Sequence, residues 1–189
     1  MTVYAVRHGQ TSWNADKKIQ GKTDISLNDN GRSQALDIAK RLTSMEIDLI
    51  ITSPLKRAME TADIIAKYLQ IEESKIIVGT RLYERDFGDY EGKLISEVDI
   101  HALRRWTDDA PTPNGETIRE MSSRVFEFLN DFFINTNNEK NILFVVHSHV
   151  LRAMYWFFNG LPDEYDETVF ETENCGLYEF NDNTKEKEN

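Results

Sequence analysis

Short apolar runs alternate along this chain with longer stretches whose apolar residues recur every three or four positions. That alternation restricts it to an α/β fold around a mostly parallel sheet. The runs are residues 3–6 (Val-Tyr-Ala-Val), 48–52 and 141–146, and the last, with Ile142-Leu143-Phe144-Val145-Val146, is the strongest. Unbroken apolar runs of this length suit strands buried on both faces. Between them, Ala35, Ile38, Ala39, Leu42 and Met45 predict a helix from about Asp29, with Ser26-Leu27-Asn28 offering its N-cap. Leu55, Ala58, Met59, Ala62, Ile65, Ala66 and Leu69 predict a second, with Pro54 suited to its first turn. Ile118, Met121, Val125, Phe128, Leu129 and Phe132 predict a long helix over 116–134, and Leu151, Met154, Tyr155 and Phe158 one that stops at Gly160. Weaker patterns suggest a strand at 75–78, short helices over 94–106, a polar turn at 135–140, and a closing pair of strands at 168–170 and 176–180.

No internal repeat, linker or low-complexity block interrupts the pattern, so the expectation is one domain over residues 1–181 followed by a polar tail, 182–189. The net charge of −11 argues against a nucleic-acid groove or an anionic membrane as partner. A single cysteine, Cys175, precludes an internal disulfide and fits a reducing compartment. With no leader pattern and no apolar stretch near the roughly 20 residues a bilayer demands, the expected location is cytoplasmic.

Each of the three best strands delivers chemistry just past its end. The first leads into Arg7-His8-Gly9, the second through Ser53-Pro54-Leu55 to Arg57, and the strongest into His147-Ser148-His149. In parallel neighbouring strands these groups converge above one rim, where open α/β sheets gather ligands. Two guanidiniums and two imidazoles suit a tetrahedral phosphoryl group: the forks neutralise oxygens while one imidazole, titrating near 6.5 and mostly neutral at pH 7, attacks phosphorus. His147 and His149, two apart, could also be read as a metal pair, but no carboxylate follows at a fitting spacing. His101 reads as solvated. The loop over 79–92 carries Glu84, Asp86, Asp89 and Glu91, any of which could manage a proton. Trp13, Tyr90, Trp106 and Trp156 could wall a pocket or fill the core. No Walker A lysine, dinucleotide glycine pattern or cysteine pair is present.

Arg7-His8-Gly9-Gln10-Thr11 with Trp13-Asn14 resembles the signature of the histidine phosphatase superfamily, the phosphoglycerate mutase-like proteins. Gln20-Gly21 with Asp24, Leu27-Asn28 with Gly31, Ser53-Pro54-Leu55 with Arg57-Ala58 and Thr61, Glu84 with Phe87-Gly88 and Glu91-Gly92, and Asn114-Gly115-Glu116 resemble further family blocks in the same order. The resemblance implies a three-layer α/β/α sandwich of phosphoglycerate mutase-like type. It makes His8 the phosphorylated nucleophile, Arg7, Asn14, Arg57 and His147 the phosphate pocket, and Glu84 the proton donor and then the base. Like charge from a phosphate dianion would raise the Glu84 pKa. Gln20, Gly21 and His149 become candidates for the substrate pocket. No metal and no cofactor is called for, and the partner is a small phosphorylated metabolite. The family usually has Gly after the second histidine, where this chain has Ser148. A metal-independent phosphatase is the leading expectation. Its rivals are a cofactor-dependent phosphoglycerate mutase, for whose lid the short span from Gly92 to Pro113 leaves little room, and a non-catalytic phospholigand-binding module.

Overall fold

A computed structural model of the chain describes residues 2–99, 112–135, 141–161 and 170–181. Five strands form one sheet: β1 (Thr2–Arg7), β2 (Leu49–Thr52), β3 (Ile76–Val78), β4 (Asn141–Val146) and β5 (Leu177–Asn181). Their order is β3-β2-β4-β1-β5, parallel throughout except for β5, which runs antiparallel to β1. The helices are a single turn α1 (Ser12–Ala15), then α2 (Asp29–Leu42), α3 (Lys56–Leu69), α4 (Ile118–Ile134) and α5 (Ser148–Asn159).

Side chains alternate across a strand, so each strand feeds two cores. Val3, Ala5, Ile142, Phe144 and Val146 face one way and pack with Met121, Val125 and Leu129 of α4 and Val150, Leu151 and Met154 of α5. Val6, Ile50, Leu143 and Val145 face the other way, against Ala35, Ile38 and Leu42 of α2 and Ala58, Ala62 and Ile65 of α3. Both faces of β4 are therefore covered, which is why its sequence is apolar without alternation. The result is the expected three-layer sandwich with a mostly parallel centre. No helix among the described residues is long and apolar enough to cross a membrane.

Several details depart from the sequence expectations. Asn28 alone caps α2, its side chain accepting from Gly31 N at 2.8 Å. Gly31 answers a packing demand: a Cβ there would lie 2.1 Å from Gln10 O, in the loop that leaves β1. Leu55 is the N-cap of α3, so Pro54 precedes the helix instead of opening it. Met59 is 43% exposed, because one residue beyond Ala58 turns the side chain by about 100° away from the sheet. The long helix α4 starts two residues later than expected, where Thr117 and Glu120 close a reciprocal capping box. Only a 3-10 turn, Ile95–Glu97, occupies the described part of 94–106. Phe170 lies in a bend, and β5 pairs with β1, so Phe170 forms no closing strand beside β5. Residues 100–111, with His101 and Trp106, the turn at 136–140, residues 168 and 169, and the tail 182–189 lie outside the described residues.

Candidate active site

Strand register assembles the rim. Arg7 is level with Val146, and Thr52 with Val145, across the central strand. The ladder extends one residue further on each side, His8 N donating to Val146 O at 2.9 Å and Ser53 N to Val145 O at 3.0 Å. His8, Ser53 and His147 thus emerge side by side past the carboxyl ends of β1, β2 and β4, with the two imidazole centroids 5.1 Å apart. Arg57 reaches back from the first turn of α3.

The proton on His8 is placed by its two partners. Nδ1 lies 2.8 Å from Gly9 O, a carbonyl that can only accept, so Nδ1 carries the hydrogen. Arg57 Nε, which can only donate, lies 3.2 Å from His8 Nε2, so Nε2 carries the lone pair. Burial, then the charges of Arg57, His147 and Arg7, hold the His8 pKa well below its ordinary value. The imidazole is neutral at pH 7 with a basic nitrogen facing the guanidinium. Arg57 is fully buried and also donates from its terminal nitrogens to Thr23 O (2.9 Å) and Gly21 O (2.7 Å), which leaves further N–H bonds for a ligand. Burial brings its pKa down to about 10, still charged at neutrality. Arg7 donates to Thr172 O at 3.0 Å, while its buried Nε has no partner. His147 Nε2 meets Ser53 Oγ at 2.6 Å, and its buried Nδ1 is likewise orphaned. Burial first, then Arg57, keeps His147 neutral.

Glu84 comes from the irregular loop between β3 and α4 and is 7% exposed. One oxygen accepts from Arg85 N at 2.9 Å, and both face His149 N at 3.3 and 3.4 Å. Burial pushes this carboxyl up, but the His149 side chain, His147 and the Arg85 amide outweigh it and hold the pKa well below the usual range. The chain's own groups thus oppose the upward shift that a phosphate dianion would bring. His149 Nδ1 lies 3.7 Å from Glu84 Oε1, too far for a hydrogen bond. Burial takes the His149 pKa down to about 4 against the pull of Glu84.

Arg7, His8, Arg57, Glu84 and His149 line one cleft of about 260 Å³ together with Asn14, Lys18, Gln20, Gly21, Phe87 and Ile95, while His147 and Ser53 are fully buried behind that lining. Asn14 Oδ1 accepts from Thr11 N at 3.1 Å to cap α1, which leaves its Nδ2 without a partner among the described residues. Gln20 is tied to Thr11 Oγ1 at 2.9 Å. Gly21 adopts φ +54°, and a Cβ there would collide with the Glu91 carboxylate. Among the described residues no group of three or more His, Cys, Asp or Glu side chains is arranged to hold a metal ion.

Sequence reasoning missed four contributors. Ser53 braces His147. Arg124 donates to the carbonyls of Arg81, Tyr83 and Glu84 and to both oxygens of Glu116, so it clamps the Glu84 loop onto α4. Arg85, fully buried, reaches Glu116 O and Thr112 Oγ1. Arg152 lines the cleft. An arginine on the apolar side of a helical repeat was the available signal for Arg124 and Arg152, since buried arginines are rare unless something binds them.

A neutral imidazole, a second histidine and two guanidiniums on the carboxyl rim of a parallel sheet make an α/β protein with a cationic site complementary to an oxyanion. Comparison with known proteins narrows the class. Residues 3–188 match the histidine phosphatase superfamily (branch 1), and the chain belongs to that family. It is 37% identical over 169 residues to the uncharacterized phosphatase PhoE of Bacillus subtilis (strain 168), covering 88% of this chain and 81% of that one. It is 33% identical over 183 residues to the probable phosphoglycerate mutase GpmB of Cronobacter sakazakii, covering 94% and 83%. Among solved structures, the phosphoserine phosphatase of Entamoeba histolytica, crystallised with phosphoserine, superimposes with a TM-score of 0.80 at 28% identity over 94% of this chain and 89% of that one.

Proposed function

We propose that this protein hydrolyses small phosphate monoesters, without a metal ion, through a phosphohistidine on His8. The observation that carries the reading is the His8 tautomer, with its lone pair on Nε2 beside the Arg57 fork. Nε2 attacks phosphorus and the ester P–O bond breaks, while Arg7, Arg57, Asn14 Nδ2 and His147 Nδ1 neutralise the equatorial oxygens. The leaving oxygen takes a proton from Glu84. A monoester entering as its monoanion, second pKa about 6, supplies that proton, and the like charge of the bound phosphoryl group helps Glu84 keep it. Water then attacks the P–N bond, Glu84 accepts its proton, and inorganic phosphate leaves with His8 restored. A cleft of about 260 Å³ lies below the roughly 300–1,000 Å³ of sites for drug-sized ligands, which favours a small metabolite.

The test is turnover of p-nitrophenyl phosphate by the wild type, with and without chelator, beside His8→Ala. Chelator-resistant release of phosphate that vanishes in the variant is expected. A correctly folded protein that turns over no monoester would leave the binding-module reading. Relatives named as probable phosphoglycerate mutases support a second reading, phosphoryl transfer between positions of a phosphoglycerate, and faster interconversion than hydrolysis would establish it.

A further inference from the structure

Arg152 is a cation of the cleft that the chemistry above does not use. It is only 8% exposed, one helical turn after Ser148 on α5, so the two side chains share a face. Its Nε donates to Phe170 O at 3.3 Å, and its two terminal nitrogens meet no protein acceptor among the described residues. The contrast with Arg124 is direct: that guanidinium is held by a carboxylate and carbonyls on every side. A nearly buried guanidinium without a counter-ion is costly unless an anion visits it.

Arg152 lines the same cleft as Arg7 and His8, at the end formed by Ser148 and Thr172. Beside it on the cleft wall, Ser148 Oγ and Thr172 Oγ1 are 2.7 Å apart, and Thr172 O takes the hydrogen bond from Arg7. Ser148, the departure from the family pattern, therefore brings a hydroxyl to this end of the cleft. Among the described residues Glu84 is the sole acid of the cleft lining, and its oxygens are turned to the Arg85 and His149 amides.

We propose that Arg152, with the Ser148–Thr172 hydroxyl pair, forms a subsite for a carboxylate carried on the same small skeleton as the phosphate. A guanidinium fork with the one hydroxyl hydrogen that the Ser148–Thr172 pair leaves free matches a planar carboxylate, which accepts two parallel N–H bonds and an O–H bond on a remaining lone pair. The substrate class is then a phosphorylated hydroxy or amino acid instead of a phosphorylated alcohol. The inference rests on the phosphatase reading for its turnover arm alone.

The experiment compares 3-phosphoglycerate with glycerol 3-phosphate, which exchange a carboxylate for a hydroxymethyl group. The wild type should favour 3-phosphoglycerate by about tenfold or more in kcat/KM, mostly through KM, as a charge-assisted pair predicts. Arg152→Gln should shrink that ratio toward one, and Arg152→Lys should recover part of it, with thermal melts confirming that each variant is folded. Calorimetric binding of the two ligands to His8→Ala should show the same preference without turnover. A wild-type ratio near one, or an Arg152→Gln loss equal for both compounds, overturns the subsite while leaving the phosphatase reading intact. Preferential binding of 3-phosphoglycerate with no hydrolysis of any monoester upholds the subsite and sinks the phosphatase reading.

Discussion

The two halves of the cleft are placed by different physics. On one side, His8, Ser53 and His147 continue the backbone ladder of β1, β2 and β4, so their positions follow from strand register. On the other, Glu84 sits in a loop without regular structure and is placed by side chains: Arg124, Arg85 and the Glu116 carboxylate gather its carbonyls and amides. Glu91 ties this loop to the one that follows α1 by accepting from the amides of Lys22, Thr23 and Phe87, and Thr23 O in turn accepts from Arg57. In the reaction proposed above, the nucleophile and its oxyanion clamp demand fixed geometry, which a sheet supplies, while the proton carrier is positioned by a loop that side chains brace.

The largest expected effect comes from the ladder half. His8→Ala should cut turnover of p-nitrophenyl phosphate by about 10⁴-fold, while inorganic phosphate still binds by calorimetry because Arg7 and Arg57 remain. Loss of phosphate binding as well would mean that the imidazole holds the clamp in place.

Arg124→Met strikes the other half. It leaves the largely buried Glu116 carboxylate without its cation, with Asp86 N still donating to it, and the carbonyls of Arg81, Tyr83 and Glu84 without their guanidinium, at a cost of about 3–5 kcal/mol in urea unfolding. At temperatures where the variant stays folded, kcat should fall while phosphate affinity holds. Equal losses in both would erase the distinction between the halves.

Acid should separate them more finely. His8, His147 and His149 all have pKa values lowered chiefly by burial, the last to about 4. Below about pH 6.5 the unfolded chain binds protons that the folded protein refuses. Stability is therefore complete above that pH and declines as pH falls, by up to about 1.4 kcal/mol per unit for each histidine. Urea midpoints between pH 7.5 and 5 would show the slope. His149→Phe should remove the share of the imidazole that faces Glu84 from α5 and leave that of His8 and His147, and an unchanged slope would assign the whole effect to the ladder.

The smallest effect is expected at the tie between the two loops. Glu91→Gln keeps the shape but weakens charge-assisted bonds to three amides and to Thr23 Oγ1, for a loss of about 1–3 kcal/mol. A loss below the precision of a thermal melt would make the two loops independent.

The ladder half was largely legible in the sequence. Apolar runs ending in Arg7-His8 and His147 fix which strands are buried and what stands at their ends, and strand order then needs only parallel pairing. Glu84 was singled out among four acids by its resemblance to a family position, since nothing in the local pattern distinguishes it from Asp86 or Glu91. What the braces hold was invisible for a related reason. Arg124 and Arg152 stand on the apolar side of their helical repeats, but what each guanidinium meets is set by other segments: Arg81, Tyr83, Glu84 and Glu116 for the first, Phe170 for the second. Met59 shows the opposite error: correct helical spacing, but a side chain beyond the reach of the sheet.

By itself, then, the order of residues determined the layers, the strands and the identity of the groups on the rim, because period-2 and period-3.6 burial are local consequences of backbone geometry. Tertiary structure alone decided which nitrogen of His8 holds the lone pair, which acid shares the cleft with it, and that Arg152 stands there without a carboxylate partner among the described residues. Those outcomes turn on distances of a few ångströms between segments remote in the chain. Hydrogen bonds and buried charges are decided at that range, and no local pattern encodes it.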